Sequence, residues 1–187
     1  MACLIGVCGF TGAGKTTTLL AIHKKIASEH IYLGQAVHDE IARRGLINSP
    51  ENQQFVRLEL RENSLGALAT MCLPAIRDCV ESGQSALVDA IMNQEEFEVL
   101  RSNFAWPVFL LQVSTNFEIR VARLSSRADR SMSRAQVQNR DRLEIESLGI
   151  ENVFNAATDV IANERSTADL DKEVDLFLGR NGLGEAR

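Results

Sequence analysis

An α/β architecture, with a parallel sheet covered by helices on both faces, is what the pattern of these 187 residues implies. Short apolar runs alternate with longer amphipathic stretches, as expected of strands joined by helical crossovers. Several of those runs, such as Leu4-Ile5-Gly6-Val7-Cys8, are continuously apolar and lack the alternation of a strand wetted on one face. No internal repeat and no Pro- or Ser-rich linker divides the chain. Residues 1–187 are therefore expected to form one domain, long enough to bury a core without staples.

The elements follow in order. Leu4–Cys8 is the first buried strand, and Lys15–Ser28 reads as a helix with Leu19, Leu20, Ile22 and Ile26 on its apolar face. Glu29–Leu33 is a short second strand, and Val37–Gly45 is a helix ended by its glycine. Ser49-Pro50-Glu51 opens a helix reaching about Glu62, since proline suits the first turn, and a further helix runs from about Ser64 to Ser82. Ser85–Asp89 is a strand, Gln94–Ser102 a helix and Val108–Val113 a strand. Phe117 to about Ser126 and Ala135–Ser147 are helical, and Asp159–Ala162 is the last strand. Ser166-Thr167-Ala168-Asp169 resembles a capping box, opening a helix whose apolar face is Leu170, Val174, Phe177 and Leu178.

Composition excludes several classes. With 45% hydrophobic and 24% charged residues the chain is neither disordered nor a coiled coil. No apolar run approaches the roughly 18 residues of a membrane helix. The N-terminus MACLIGVCGF lacks the basic region of a signal peptide, so a cytoplasmic location is expected. A net charge of −5 argues against a general nucleic-acid binder. The four cysteines (Cys3, Cys8, Cys72 and Cys79) show no metal or redox spacing and read as small buried hydrophobes; His23, His30 and His38 form no ligand cluster.

The sharpest motif is Gly9-Phe10-Thr11-Gly12-Ala13-Gly14-Lys15-Thr16, a G-x-x-x-x-G-K-T loop between a strand and a helix. Glycines there let backbone N–H groups converge on phosphate oxygens, and the following helix adds its positive end. Gly9, Thr11, Gly12, Ala13, Gly14, Lys15, Thr16 and Thr17 are the expected nucleotide-binding residues. Lys15 would reach the β- and γ-phosphates of ATP, and the Thr16 hydroxyl would ligate Mg²⁺. No N-K-x-D guanine-reading motif is present, which argues against a Ras-like GTPase.

Two further signals accompany the loop. Asp89 closes an apolar strand, where a carboxylate can hold Mg²⁺; the alternative is a helix cap. Between Arg120 and Arg142 lie seven arginines against Asp129 and Asp141, a local anion site on an acidic body. Arg120, Arg123, Arg127, Arg130 and Arg134 are spaced 3, 4, 3 and 4 apart and share one face if the helix continues. Acids are scarce within that window, so a mobile phosphate-binding lid is favoured over a paired surface face.

In order, GFTGAGKTT, HDEIARRGL, SPENQ, LRENSLG, LVDAI, the arginine run and VIANERS resemble P-loop nucleotide-kinase-like proteins related to dephospho-coenzyme A kinase. The resemblance spans Leu4 to about Leu178. It implies a three-layer P-loop kinase fold with a five-stranded parallel sheet of order 2-3-1-4-5. It also implies an acceptor-binding helical region over about residues 35–82 and an arginine-rich lid over about 120–147. Gln35, Asp39, Arg43, Arg44, Arg57 and Arg61 become candidate acceptor contacts, with surface pairing to Glu59 or Glu62 as the alternative for Arg57 and Arg61. Arg123 and Asn163 fall to the nucleotide, and Arg127 and Arg130 join Lys15 and Asp89 as catalytic candidates. Two positions depart from the pattern. Gly34-Gln35-Ala36 stands where the family carries an Asp after its second strand, and Ile91-Met92 stands where an Arg is common.

The expected activity is Mg-ATP-dependent phosphoryl transfer to a nucleotide-like small molecule, either dephospho-coenzyme A or a (deoxy)nucleoside monophosphate. The alternative is a nucleotide-binding regulator with little turnover, which the missing Asp would permit. Neither nucleic acid nor membrane is an expected partner, and the chain is expected to be a monomer or a small homo-oligomer.

Overall fold

The computed structural model describes residues 1–184. Five parallel strands, β1 (Leu4–Cys8), β2 (Ser28–Tyr32), β3 (Ser85–Asp89), β4 (Val108–Ser114) and β5 (Asp159–Ala162), form one sheet of order β2-β3-β1-β4-β5. This is the predicted order. β1 lies at the centre, with Leu4 opposite both Ala86 of β3 and Val108 of β4. Its side chains alternate between two cores, which is why it reads as continuously apolar. Leu4 and Cys8 join one core, and Cys3, Ile5 and Val7 the other.

The first core is covered by α2 (Gln35–Arg43), α3 (Pro50–Asn63), α4 (Ala67–Glu81), α5 (Gln94–Ser102) and α8 (Ile150–Asn155). The second is covered by α1 (Lys15–His23) and α9 (Thr167–Arg180), whose Phe177 meets Phe109 edge-on. The remaining helices, α6 (Phe117–Ser125) and α7 (Arg134–Leu148), meet the loop that follows β1, where Arg120 and Glu144 both bond Thr11.

Local chemistry sets most boundaries. The Ser49 side chain accepts from the Asn52 N–H with Pro50 in the first turn, and Ser166 accepts from the Asp169 N–H. Ser133 and Gln136 form a reciprocal capping box at α7, which separates it from α6 by residues 126–133. The five arginines therefore do not lie on one continuous helix: Arg120 and Arg123 are on α6, Arg127 and Arg130 in the connection, and Arg134 starts α7. α1 ends at His23, five residues before the periodicity suggested, because Ile26 packs on the core from a turn and β2 must begin at Ser28 to pair with Ser85. α8 has no counterpart among the expected elements; its six residues hold Phe154 edge-on against Phe10 of the phosphate loop. All four cysteines are buried, and burial pushes the thiols up, Cys8 to about 12 and Cys72 to about 11, so none is a ready nucleophile. Among the described residues no helix is long and apolar enough to cross a membrane.

Candidate nucleotide and phosphoryl-transfer site

The loop Gly9–Lys15 leaves the C-terminal end of β1 and enters α1. The first turn of α1 carries no acidic residue and no side-chain cap, so its N–H groups remain available to an anion. Gly14 has φ 96°, and a Cβ there would collide with the Asn163 amide. Glycine is thus required both by backbone conformation and by that close approach. Asn163, 6% exposed, donates from Nδ2 to the Ala13 carbonyl at 2.8 Å, while its N–H donates to Ser114 O. The amide thus braces the phosphate loop at Ala13. Thr115 sits in the same network, its hydroxyl 2.9 Å from Ala13 O.

Lys15 Nζ donates to Gly9 O at 2.6 Å, folded back on its own loop. Burial pushes its pKa down, opposed first by the charge of Glu144 and then by that of Asp89. The Thr16 hydroxyl donates to Asp89 Oδ2 at 2.9 Å, joining the start of α1 to the buried end of β3. His30 Nε2 lies 3.3 Å from the same oxygen. Ala90, directly after Asp89, holds φ 68°, a left-handed conformation that costs a non-glycine residue energy and is over-represented at functional sites.

The arginines divide sharply. Arg120 is 3% exposed, donates to both carboxylate oxygens of Asp141 at 2.9 and 2.6 Å, and donates to the Thr11 carbonyl. Its guanidinium also lies against the rings of Phe10 and Phe117. Arg134 pairs with Glu118 at the surface, and Arg140 Nε donates to Glu144 Oε1 at 2.7 Å. The expected scarcity of acids therefore fails: Glu118 and Glu144 lie just outside the window and Asp141 inside it, and folding brings each to an arginine. Arg123 differs. Its Nη1 is buried with no hydrogen-bond partner among the described residues and points toward Gly14. Arg127 and Arg130 are exposed and form no ion pair among the described residues.

On the acceptor side, Arg44 is committed to Glu40 and Glu59, tying α2 to α3, and Arg43 also pairs with Glu40. Arg61 pairs with fully buried Glu96 of α5 rather than with Glu59 or Glu62. Arg57 is half-buried and has no carboxylate partner among the described residues. Burial disfavours its charge; Tyr32 favours it, and the cations Arg61, Arg140 and Arg130 oppose it. Gln35 Nε2 donates to Asp39 Oδ1 at 2.9 Å, and both residues line a groove of about 450 Å³ along β2 whose walls include no phosphate-loop residue. The Tyr32 ring folds back over Gly34, so a side chain there would have to displace it.

Sequence reasoning missed His30, Tyr32 and Glu144. Glu144 had a readable signal: it lies seven residues after buried Val137 on the inner face of an otherwise polar helix.

Donors at the head of α1, an unpartnered guanidinium beside Gly14 and the Thr16–Asp89 oxygen pair fit a nucleoside triphosphate with a hard cation. Fold and site together define a P-loop α/β protein of the kinase type. The fold is similar to shikimate kinase from Bacteroides thetaiotaomicron, with a TM-score of 0.64 at 13% identity over 96% of this chain and 98% of that one. It is also similar to a sugar kinase from Janibacter sp. HTCC2649, with a TM-score of 0.57 at 20% identity over 98% and 96%. The chain is 33% identical over 171 residues to a UPF0200 protein of Aeropyrum pernix, covering 91% of this chain and 89% of that one. It belongs to the UPF0200 family, and its residues 5–147 match the AAA domain family.

Proposed function

We propose that the chain is a Mg-ATP-dependent phosphotransferase acting on a small, nucleotide-like anionic acceptor. The observation that carries this reading is the Thr16–Asp89 hydrogen bond beside an uncapped, acid-free helix start. Gly9–Thr17 would hold the triphosphate, with Arg123 Nη1 adding a donor near Gly14. Thr16 and Asp89 would hold Mg²⁺, which would supply charge neutralisation to the phosphates. Lys15, Arg127 and Arg130 would stabilise the transferring group, residues 120–147 serving as the lid.

Arg57 supports the anionic character of the acceptor. A half-buried guanidinium among other cations, with no acid of its own among the described residues, is best compensated by a ligand's phosphate or carboxylate. Dephospho-coenzyme A and the nucleoside monophosphates both carry such groups. A second reading, a nucleotide-binding regulator with little turnover, draws on the Gln35–Asp39 pair facing away from the phosphate loop.

Mass-spectrometric detection of phosphorylated product tests the choice. The protein is supplied with Mg-ATP and a panel of dephospho-coenzyme A, nucleosides and nucleoside monophosphates, with Lys15→Ala as control. A product formed only by the wild-type protein is expected. ATP binding without any product supports the regulator instead.

A further inference from the structure

Glu144 Oε2 is a buried carboxylate oxygen that nothing in the proposed site yet uses. The residue is 1% exposed, and Oε2 has no hydrogen-bond partner among the described residues. Its other oxygen, Oε1, accepts from the Thr11 hydroxyl at 2.9 Å and from Arg140 Nε at 2.7 Å. Thr11 is the third residue of the phosphate loop, and Arg120 holds its carbonyl at 3.1 Å. The carboxylate is thus fixed against the loop at one oxygen and left free at the other. Both Lys15 and Glu144 bond the phosphate loop, Lys15 at the Gly9 carbonyl and Glu144 at the Thr11 hydroxyl, and the charge of Glu144 is the largest counter to the burial of Lys15.

Buried anions with an unsatisfied oxygen are costly and rare unless the group has work to do. The other acids near the loop are engaged, Asp89 by the Thr16 hydroxyl and Asp39 by Gln35 in the β2 groove. We infer that Glu144 is the proton acceptor for the attacking group, with Thr11 and Arg140 as its positioning residues. This rests on the phosphotransferase reading. It also names the attacking group. A phosphate acceptor is already largely ionised near neutral pH, its second pKa being about 6, and needs no base. A hydroxyl does, so the acceptor is an alcohol that also carries an anionic group for Arg57.

In the step, the acceptor O–H gives its proton to Oε2 while its oxygen forms a bond to the γ-phosphorus. The bond from that phosphorus to the bridging oxygen breaks, and ADP leaves with the electron pair. The proton is released to solvent as product departs. Oε2 offers what a general base requires, a free lone pair on a carboxylate whose other oxygen is fixed against the phosphate loop.

The test compares wild type with Glu144→Gln and Glu144→Asp, using Mg-ATP with dephospho-coenzyme A and nucleoside monophosphates, each of which offers both a hydroxyl and a phosphate, and reads by mass spectrometry which of the two receives the new phosphate. Binding of β,γ-imido-ATP and thermal melting are measured on the same proteins. Wild type should phosphorylate a hydroxyl, and Glu144→Gln should lose about a hundredfold or more in that rate. Its affinity for the ATP analogue should stay within about threefold, and Glu144→Asp should recover part of the rate. An unchanged rate in Glu144→Gln overturns the inference alone, as does wild-type transfer only to phosphate. Tighter analogue binding with turnover retained also overturns it, making Glu144 a latch on the empty loop. A wild type silent toward every acceptor overturns the phosphotransferase reading and this inference with it. Should Glu144→Gln fail to fold, Thr11→Val removes the hydroxyl that orients Oε1 and should lower the rate at least tenfold; an unchanged rate overturns the proposal.

Discussion

The phosphate loop and the segment from Arg120 to Arg142 are the two most charged-ligand-like stretches of the chain, yet the fold treats them in opposite ways. The loop is contiguous, and its binding groups are chiefly backbone N–H donors set by strand, glycines and helix start, so its chemistry survives any detail of packing. The arginine segment carries seven identical side chains with unlike fates. Arg120 is sealed in a bidentate pair with Asp141, Arg134 makes a surface pair, and Arg140 orients Glu144. Arg123 keeps one buried donor free, while Arg127 and Arg130 stand exposed without an acid among the described residues. A shared charge says little about role; burial and the partner's identity assign it.

The largest effect should come from Lys15→Ala, which would lower turnover by about a thousandfold, roughly 4 kcal/mol of transition-state stabilisation. The same variant should lose the melting-temperature rise that Mg-ATP gives the wild-type protein. Arg120→Ala should cost about 3–5 kcal/mol of stability in chemical denaturation, because it leaves Asp141 uncompensated beside the loop. If that loss proves as small as that of a surface arginine, the division drawn between the arginines collapses. Next in size, Asp89→Asn should raise the Mg²⁺ concentration needed for half-maximal activity by about tenfold, read from a titration at saturating ATP.

Arg127→Ala and Arg130→Ala should leave stability within about 0.5 kcal/mol of wild type, as surface substitutions do. Turnover should fall by about tenfold or more in each, and a fall confined to melting temperature would remove them from the lid. Smallest of all, Arg134→Ala should change stability by no more than about 1 kcal/mol, since its partner Glu118 is also exposed. Its turnover should match wild type.

Elements built from local signals were legible. Gln94–Ser102 starts where Asn93 accepts from the Glu96 N–H, and α3 starts at its Ser-Pro pair, both as the sequence indicates. α8 was invisible because six residues are too few for a helical period to register, and its stability comes from Ile150 and Val153 in the core. The phosphate loop and Asp89 were identifiable because each sits at a strand end. The commitments of Arg44 to Glu59 and of Arg61 to Glu96 were not, since those partners lie 15 and 35 positions away. The acceptor side suffered most from this. Gln35 and Asp39 line a groove along β2, and of the four candidate acceptor arginines only Arg57 has no carboxylate partner among the described residues.

By itself the sequence determined the parallel α/β sheet, the triphosphate loop and the strand-end carboxylate, because periodicity, capping and glycine placement act over a few neighbouring residues. The tertiary structure alone decided which charges are spent on one another and which remain for a ligand. Thr16 meets Asp89 across 73 positions and Thr11 meets Glu144 across 133, and only the assembled sheet, with α7 packed beside the phosphate loop, brings those atoms together. Partner and burial, which set the free energy of a charge, are properties of that packing rather than of the residue.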